Sequence, residues 1–316
     1  MKKRPFLKGV LNHCYQRSAN GGLLFYSQSD YLVWFTIVCL AATRHRVKIL
    51  ALCPMPDHTH LSVIADSVRD LSSFMGDINR SFSHEQNKLC HTKGSWFRTP
   101  FGSVPKKGAK FGRSNLLYVG NNPVERKLAS YADEYRWTFV AYAHSDHPFS
   151  DKLIIRNCSW HMRNAIREVR AQYRSGKPMN HCVLKRITRM LAESEKRQLI
   201  DYIVSTYNVI SYDDTLSYFD GSYGHFLTAL HSTTTREYDM KETFVGVSDR
   251  CYAQMTRILL VEKGLEDIHD FLAWPEKERK ELYNLLLQKT GALPSQVNKF
   301  LHLPIESAKA GTTTKR

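Results

Sequence analysis

The chain has 316 residues, 42% of them hydrophobic and 11% aromatic, which is typical of a folded globular protein and excludes a disordered or fibrous one. Its formal net charge of +15 favours a polyanionic partner such as nucleic acid, because clustered Lys and Arg release counterions from a phosphate backbone. The longest apolar stretch, residues 31–42, is shorter than the roughly 18 to 20 residues of a membrane-spanning helix, so no membrane protein is expected.

The first half of the sequence alternates between strand and helix patterns. Strands are predicted over residues 6–17, 47–53 and 58–65, the last two separated by a turn at 54–57 and therefore expected to pair antiparallel. Helices are predicted over 29–43, with Ser29 or Asp30 as the cap, over 70–89, and around 115–122. This order predicts an α+β fold in which helices pack on an antiparallel sheet.

Residues 93–113 interleave basic and aromatic side chains. This arrangement suits single-stranded nucleic acid, since the charges follow the backbone and the rings stack on bases. The alternative is a solvated loop that contains glycines. The predicted DNA contacts are Arg17, Lys93, Trp96, Lys106, Lys107, Lys110 and Arg113.

The second half of the sequence is dominated by helical patterns. They cover residues 159–173, 180–190, 193–208, 221–231, 249–262, 265–273 and 275–290, and a polar tail is expected over 306–316. Near 280–303 the pattern resembles a helix-turn-helix, whose second helix would present Ser295, Gln296, Asn298 and Lys299 to a major groove. Plain core packing is the alternative. We therefore predict two domains, residues 1–148 and 149–316, the second mainly α-helical.

The seven cysteines are an odd number and include no CxxC pair. This distribution argues against both a disulfide framework and a zinc ribbon. The basic start of the chain is followed by no apolar signal core. We therefore expect reduced thiols and a cytoplasmic protein.

His58 and His60 are the first candidate site residues. In a strand, residues two apart point to the same face, so both imidazoles project together while Thr59 points away. Two neighbouring imidazoles can hold a divalent metal and leave coordination positions open for phosphate oxygens.

Tyr118 and Asn122 are the second pair of candidates. On a helix, residues four apart share a face, which sets a phenol beside a carboxamide. A tyrosine can attack phosphorus, but it needs a cation or base nearby to ionise. A metal at the histidines would supply that charge, with the amide oxygen of Asn122 as a third ligand. Because Pro123 disfavours an α conformation at the preceding residue, Asn122 is expected in the last helical turn.

Two motifs together resemble a known family. Cys-Pro-Met-Pro-Asp-His-Thr-His-Leu at 53–61, followed by Tyr-Val-Gly-Asn-Asn-Pro-Val at 118–124, is similar to the paired signatures of the REP-associated tyrosine transposases, within the HUH single-tyrosine transposase superfamily. The resemblance covers roughly residues 6–150. Thr59 departs from the usual bulky hydrophobe, and Asp57 stands where many relatives have Asn.

The resemblance implies a ferredoxin-like antiparallel sheet that carries the histidine pair. His58 and His60 match the metal ligands, Tyr118 the nucleophile and Asn122 the polar partner of the metal site, with Mg²⁺ or Mn²⁺ as cofactor. Asp57 is expected to contact a histidine rather than the metal.

The implied function is a DNA nickase and strand-transferase that forms a 5′-phosphotyrosine intermediate. Its expected partner is single-stranded or hairpin DNA, and it is expected to act as a monomer or homodimer in the bacterial cytoplasm, at the nucleoid. Three alternatives stay open: a non-catalytic DNA-binding regulator derived from a transposase, an RNA-binding protein on the same fold, and a phosphodiesterase that uses water.

Overall fold

The computed structural model describes residues 5–232 and 248–304. One antiparallel sheet of four strands has the order β2-β3-β1-β4. The strands are β1 (Leu11–Arg17), β2 (Lys48–Met55), β3 (His58–Ile64) and β4 (Gly102–Lys106). Helix α1 (Gln28–His45) connects β1 to β2, and α2 (Val68–Cys90) connects β3 to β4. This β-α-β-β-α-β order is the ferredoxin-like arrangement, and it confirms the α+β class and the antiparallel pairing of the second and third strands.

Helix α3 (Ala109–Glu125) lies on the face of the sheet that carries the two histidines. The hydroxyl of Ser62, on that face of β3, donates to Oδ1 of Asn115 on α3 at 2.7 Å. Leu61 and Val63 point to the opposite face and are also buried, so both faces of β3 are covered.

Several predicted boundaries were wrong. The first strand begins at Leu11 rather than residue 6, because Gly9 takes a positive φ of 67° just before it. Helix α1 is capped by Ser27, whose side chain and backbone bond reciprocally with Asp30 in a capping box. Ser29 and Asp30 are therefore not caps.

Residues 93–113 are not one loop. They contain β4, which pairs with β1, and the first turn of α3. Helix α3 is longer than predicted and continues through Pro123, which is buried within it, while Asn122 lies in the last turn as expected. Here tertiary packing outweighs the local cost of a helical proline.

The described residues beyond 148 form helices and no strand of the sheet, apart from one isolated bridge between Ile49 and Ile210. Two predicted helices were wrong in detail: residues 268–273 form a 3₁₀ helix, and the helix at 275–290 is broken at Leu282 into two. The helices are α4 (Trp160–Arg174), α5 (His181–Thr188), α6 (Glu193–Tyr207), α7 (Tyr212–Leu216), α8 (Tyr223–Ser232), α9 (Cys251–Glu262), α10 (Glu276–Glu281), α11 (Tyr283–Thr290) and α12 (Pro294–Phe300). The predicted tail at 306–316 lies outside the described residues.

Two hydrophobic clusters form the interior. The first joins the sheet and α1 to α3 with later helices, through residues such as Met162 and Leu199. The second joins Leu23 and Tyr26 with α9, α11 and α12. Each cluster contains residues from both sides of position 148, because the later helices bury their apolar faces against the sheet layer. The division into 1–148 and 149–316 stays a prediction.

All seven cysteines are free thiols, six of them at least half-buried. Within the described residues, no helix is both long and apolar enough to cross a membrane.

Candidate metal and tyrosine site

His58 and His60 project from the same face of β3, as the strand alternation predicts. Their ring centroids are 4.8 Å apart with the planes perpendicular. His60 is 1% exposed and His58 is 6% exposed. The two imidazoles therefore meet in a largely dry site.

His13, on the neighbouring strand β1, completes a group of three histidines. Its Nε2 lies 3.0 Å from Nδ1 of His60, and the two rings are stacked. Burial lowers the pKa of His13 to about 3, with a further contribution from the charge of Lys106. Burial, with the neighbouring histidines and Arg17, also holds the pKa of His60 well below its usual value. Both rings are neutral at pH 7, the state in which imidazole binds metal.

The contact between His13 and His60 orients His60. When His60 donates its Nδ1 proton to His13, the lone pair of His60 lies on Nε2, a buried atom for which the described residues supply no hydrogen-bond partner. The second nitrogen of a metal-binding histidine is held in a similar way, although its usual partner is a carboxylate, a backbone carbonyl or water rather than a second imidazole. The sequence reasoning missed His13, although the alternation of His13, Tyr15 and Arg17 along one strand face was a usable signal.

Asp57 holds the other histidine. Its Oδ1 accepts a hydrogen bond from Nδ1 of His58 at 2.6 Å, and its Oδ2 accepts one from Nζ of Lys299 at 2.5 Å. Burial alone would raise the pKa of Asp57, but the interactions with His58 and Lys299 hold it below its usual range. The carboxylate is thus ionised and fixed between two donors.

Tyr118 lies on α3 directly over the histidines. Its ring meets His60 edge to face at 5.4 Å between centroids, and His13 at 5.7 Å. Tyr118 is 2% exposed, so bulk water is largely kept from its ring. The structure therefore brings Tyr118 together with His60 of the predicted histidine pair.

Asn122 is buried one turn further along α3. Its Nδ2 donates to the backbone carbonyl of Tyr118 at 2.9 Å, which leaves its Oδ1 as the atom available to a cation. The described residues contain no group of three or more His, Cys, Asp or Glu side chains arranged to hold a metal ion. A site made of His58, His60 and Asn122 would have two nitrogen ligands and one amide oxygen, an open set rather than a closed structural one. Within the described residues the buried Nε2 of His60 has no hydrogen-bond partner, and a divalent ion would satisfy that atom.

The seven contacts predicted for DNA in residues 17–113 include exposed and half-buried lysines and arginines. Arg17 is exposed and stands opposite His58 in the register of β1 and β3, and Lys106 is half-buried near His13. Lys93, Lys107 and Lys110 are exposed.

Trp96 and Arg113 are engaged within the protein instead. The indole nitrogen of Trp96 donates to Asn87 at 3.0 Å, and its ring packs against His302. Arg113 donates to the backbone carbonyl of Tyr218 at 2.8 Å. His302 and Tyr218, which contact Trp96 and Arg113, lie far along the chain, so the local sequence could not predict these contacts.

The solvent-facing orientation predicted for Gln296 was wrong, and Lys299 is only partly exposed. The Gln296 side chain is buried and donates to the backbone carbonyl of Ser248 at 2.9 Å, while Lys299 reaches Asp57. Helix α12 follows α11 after a left-handed turn at Gly291, as a helix-turn-helix would, but these two side chains face the sheet layer.

No protein-family model and no curated protein matches this chain. Among solved structures, the chain is similar to a REP-associated tyrosine transposase bound to a REP hairpin, at 17% identity and a TM-score of 0.37. The superposition covers 44% of this chain and 81% of that one. The relationship is distant.

Proposed function

We propose that the protein is a metal-dependent nickase and strand-transferase of single-stranded DNA, with Tyr118 as nucleophile and His58, His60 and Asn122 as metal ligands. The observation that carries the proposal is the packing of Tyr118 against His60, with 5.4 Å between their ring centroids. A phenol beside imidazole nitrogens that can bind a metal suits nucleophilic attack on a phosphodiester.

In the proposed reaction the phenolic oxygen of Tyr118 bonds to phosphorus and the bond from phosphorus to the 3′ oxygen breaks. The phenol loses one proton and the departing 3′ oxygen gains one, so no further reactant is consumed. The products are a 5′-phosphotyrosine and a free 3′-hydroxyl. A bound Mg²⁺ or Mn²⁺ would polarise the phosphate and offset its developing charge. Another 3′-hydroxyl can then attack the phosphotyrosine and rejoin strands without ATP.

The burial of Tyr118 bears on how DNA would reach it. The tyrosine is 2% exposed in the protein without DNA. The same burial requires DNA binding to shift α3 or its neighbours before a phosphate can reach the phenol. The net charge of +15 and the exposed Lys93, Lys107 and Lys110 would attract the DNA backbone to the protein.

The test is to incubate the full chain with end-labelled, hairpin-containing single-stranded DNA and Mn²⁺, and to run a denaturing gel. We expect a covalent protein-DNA band in the wild type that is lost in Tyr118→Phe and with chelator. Tyr131→Phe is the matched control, because Tyr131 is 51% exposed and follows α3 closely in sequence. Cleavage that persists in Tyr118→Phe would assign the attack to water or another tyrosine.

The second candidate is a non-catalytic DNA-binding regulator. The burial of Tyr118 and His60 favours it, since a binding protein needs no access to either side chain. Hairpin DNA that is bound but never joined to the protein, over a range of Mn²⁺ concentrations, would support this alternative. A monomer or homodimer in the cytoplasm stays the prediction for either function.

A further inference from the structure

The C-terminal helix α12 reaches the strand that carries the proposed metal ligands. Nζ of Lys299 lies 2.5 Å from Oδ2 of Asp57, across 242 residues of sequence. The other carboxylate oxygen of Asp57, Oδ1, accepts a hydrogen bond from Nδ1 of His58 at 2.6 Å. These three side chains form a continuous series of charge-assisted bonds from α12 to His58.

The turn that carries Asp57 is held by backbone hydrogen bonds from an adjoining segment. Leu24 donates to the carbonyl of Pro56 at 2.7 Å, and Ser18 donates to the carbonyl of Asp57 at 3.1 Å. The backbone at Asp57 is therefore fixed, and only rotation of its side chain is left to be determined.

The backbone at Lys299 is fixed as well. Val297 and Phe300 on either side of it are fully buried, and the hydroxyl of Tyr26 donates to the carbonyl of Phe300 at 2.6 Å. The His302 ring is 3.0 Å from the carbonyl of Leu23. Because α12 packs against residues 23–26, its backbone position places the ammonium group of Lys299 beside Asp57. The contact is therefore set by the packing of the helix and not by the free rotation of a surface lysine.

We propose that Lys299 is a positioning residue for the nickase reaction, acting through Asp57 on His58. The lysine holds one carboxylate oxygen so that the other faces Nδ1 of His58, which keeps the proton on Nδ1 and the lone pair on Nε2 for the metal. The inference rests on the proposed function and extends it. In this proposal α12 supports the metal site. The helix-turn-helix prediction would instead make Lys299 a contact to DNA.

The first measurement is the Mn²⁺ affinity of the full chain without DNA, by titration followed with electron paramagnetic resonance. We expect Lys299→Met to weaken Mn²⁺ binding by about 10- to 100-fold, the usual effect of losing such a supporting contact. Lys299→Arg should restore most of the affinity, because it keeps a cationic donor. The matched control is Lys289→Met, which removes a 2.6 Å ion pair with Glu262 on neighbouring helices away from the site.

The second measurement reads His58 directly, by ¹H–¹⁵N correlation spectra of histidine-labelled protein with His58→Gln for assignment. We expect His58 to carry its proton on Nδ1 in the wild type. A mixture of the Nδ1 and Nε2 tautomers of His58 in Lys299→Met would support the proposal. If Lys299→Met does not fold, Lys299→Gln and Lys299→Arg are compared in the same way.

The opposite outcome has a distinct signature. If Lys299→Met keeps the tautomer and the Mn²⁺ affinity but weakens DNA binding in chelator, with a smaller salt dependence, then Lys299 contacts phosphate and the proposal is overturned. If the wild type forms no covalent DNA adduct, the proposed function fails, yet the His58 tautomer still decides the role of Lys299.

Discussion

His269 bonds two carboxylates, of which that of Asp30 is fully buried and that of Asp267 is partly exposed. Its Nε2 lies 3.0 Å from both oxygens of Asp30, a residue with no exposed surface, and its Nδ1 lies 2.7 Å from Asp267. Asp30 also accepts from Gln86 at 3.0 Å and from the backbone of Tyr26 at 2.7 Å. The ion pair between Asp30 and His269 joins the start of α1 to the 3₁₀ helix at residues 268–273.

The pH dependence follows from the pKa of this histidine. Burial alone would lower it, but the charge of Asp30 and the hydrogen bond to Asp267 raise it from 6.5 to about 10. Because the folded pKa lies above the unfolded one, the charged pair contributes fully below pH 6.5, and its contribution falls steadily as the pH rises from 6.5 and is gone above 10. The shift corresponds to about 5 kcal/mol between those limits.

Replacing His269 by Gln removes the charge but keeps one hydrogen-bond donor, and Asp30 keeps its other partners. Breaking a buried ion pair costs about 3 to 5 kcal/mol, so we expect the lower figure, about 3 kcal/mol, near pH 6. Near pH 9.5 most of the wild-type contribution is already lost, and the difference should fall below about 1 kcal/mol.

The assay is urea unfolding of wild type and His269→Gln, followed by tryptophan fluorescence at both pH values. His231→Gln is the matched control, since His231 forms only a partly exposed pair with Asp133 and should change the free energy of unfolding by less than about 1 kcal/mol. Equal destabilisation by His269→Gln at pH 6 and pH 9.5 would refute the linkage to its charge.

Two further predictions test a buried ion pair and the basic surface. Asp201 is 1% exposed and pairs with Arg136, so Asp201→Asn should destabilise the protein by about 3 to 5 kcal/mol in urea unfolding. Glu193→Gln, which removes an exposed ion pair on the same helix, should leave the urea midpoint unchanged. Lys107→Ala and Lys110→Ala should each lower the slope of log affinity against log salt for single-stranded DNA by about 0.7, and an unchanged slope would show that the lysine touches no phosphate.

The local parts of the candidate site could be predicted from sequence. His58 and His60 are two residues apart in a β-branched, apolar segment, so strand geometry alone puts them on one face. Tyr118 and Asn122 are four apart in a helix, so their shared face follows in the same way. Their chemical roles stay predictions until the covalent adduct and the metal are measured.

Only the tertiary structure decided which of these faces meet. Tyr118 lies over His60 because α3 packs across the sheet, and His13 joins them because β1 pairs with β3. Lys299 reaches Asp57 from the far end of the chain, although its own segment indicated a surface helix. Hydrophobic periodicity records which side of an element is buried but not which residues it is buried against, so contacts across long stretches of chain leave no local pattern.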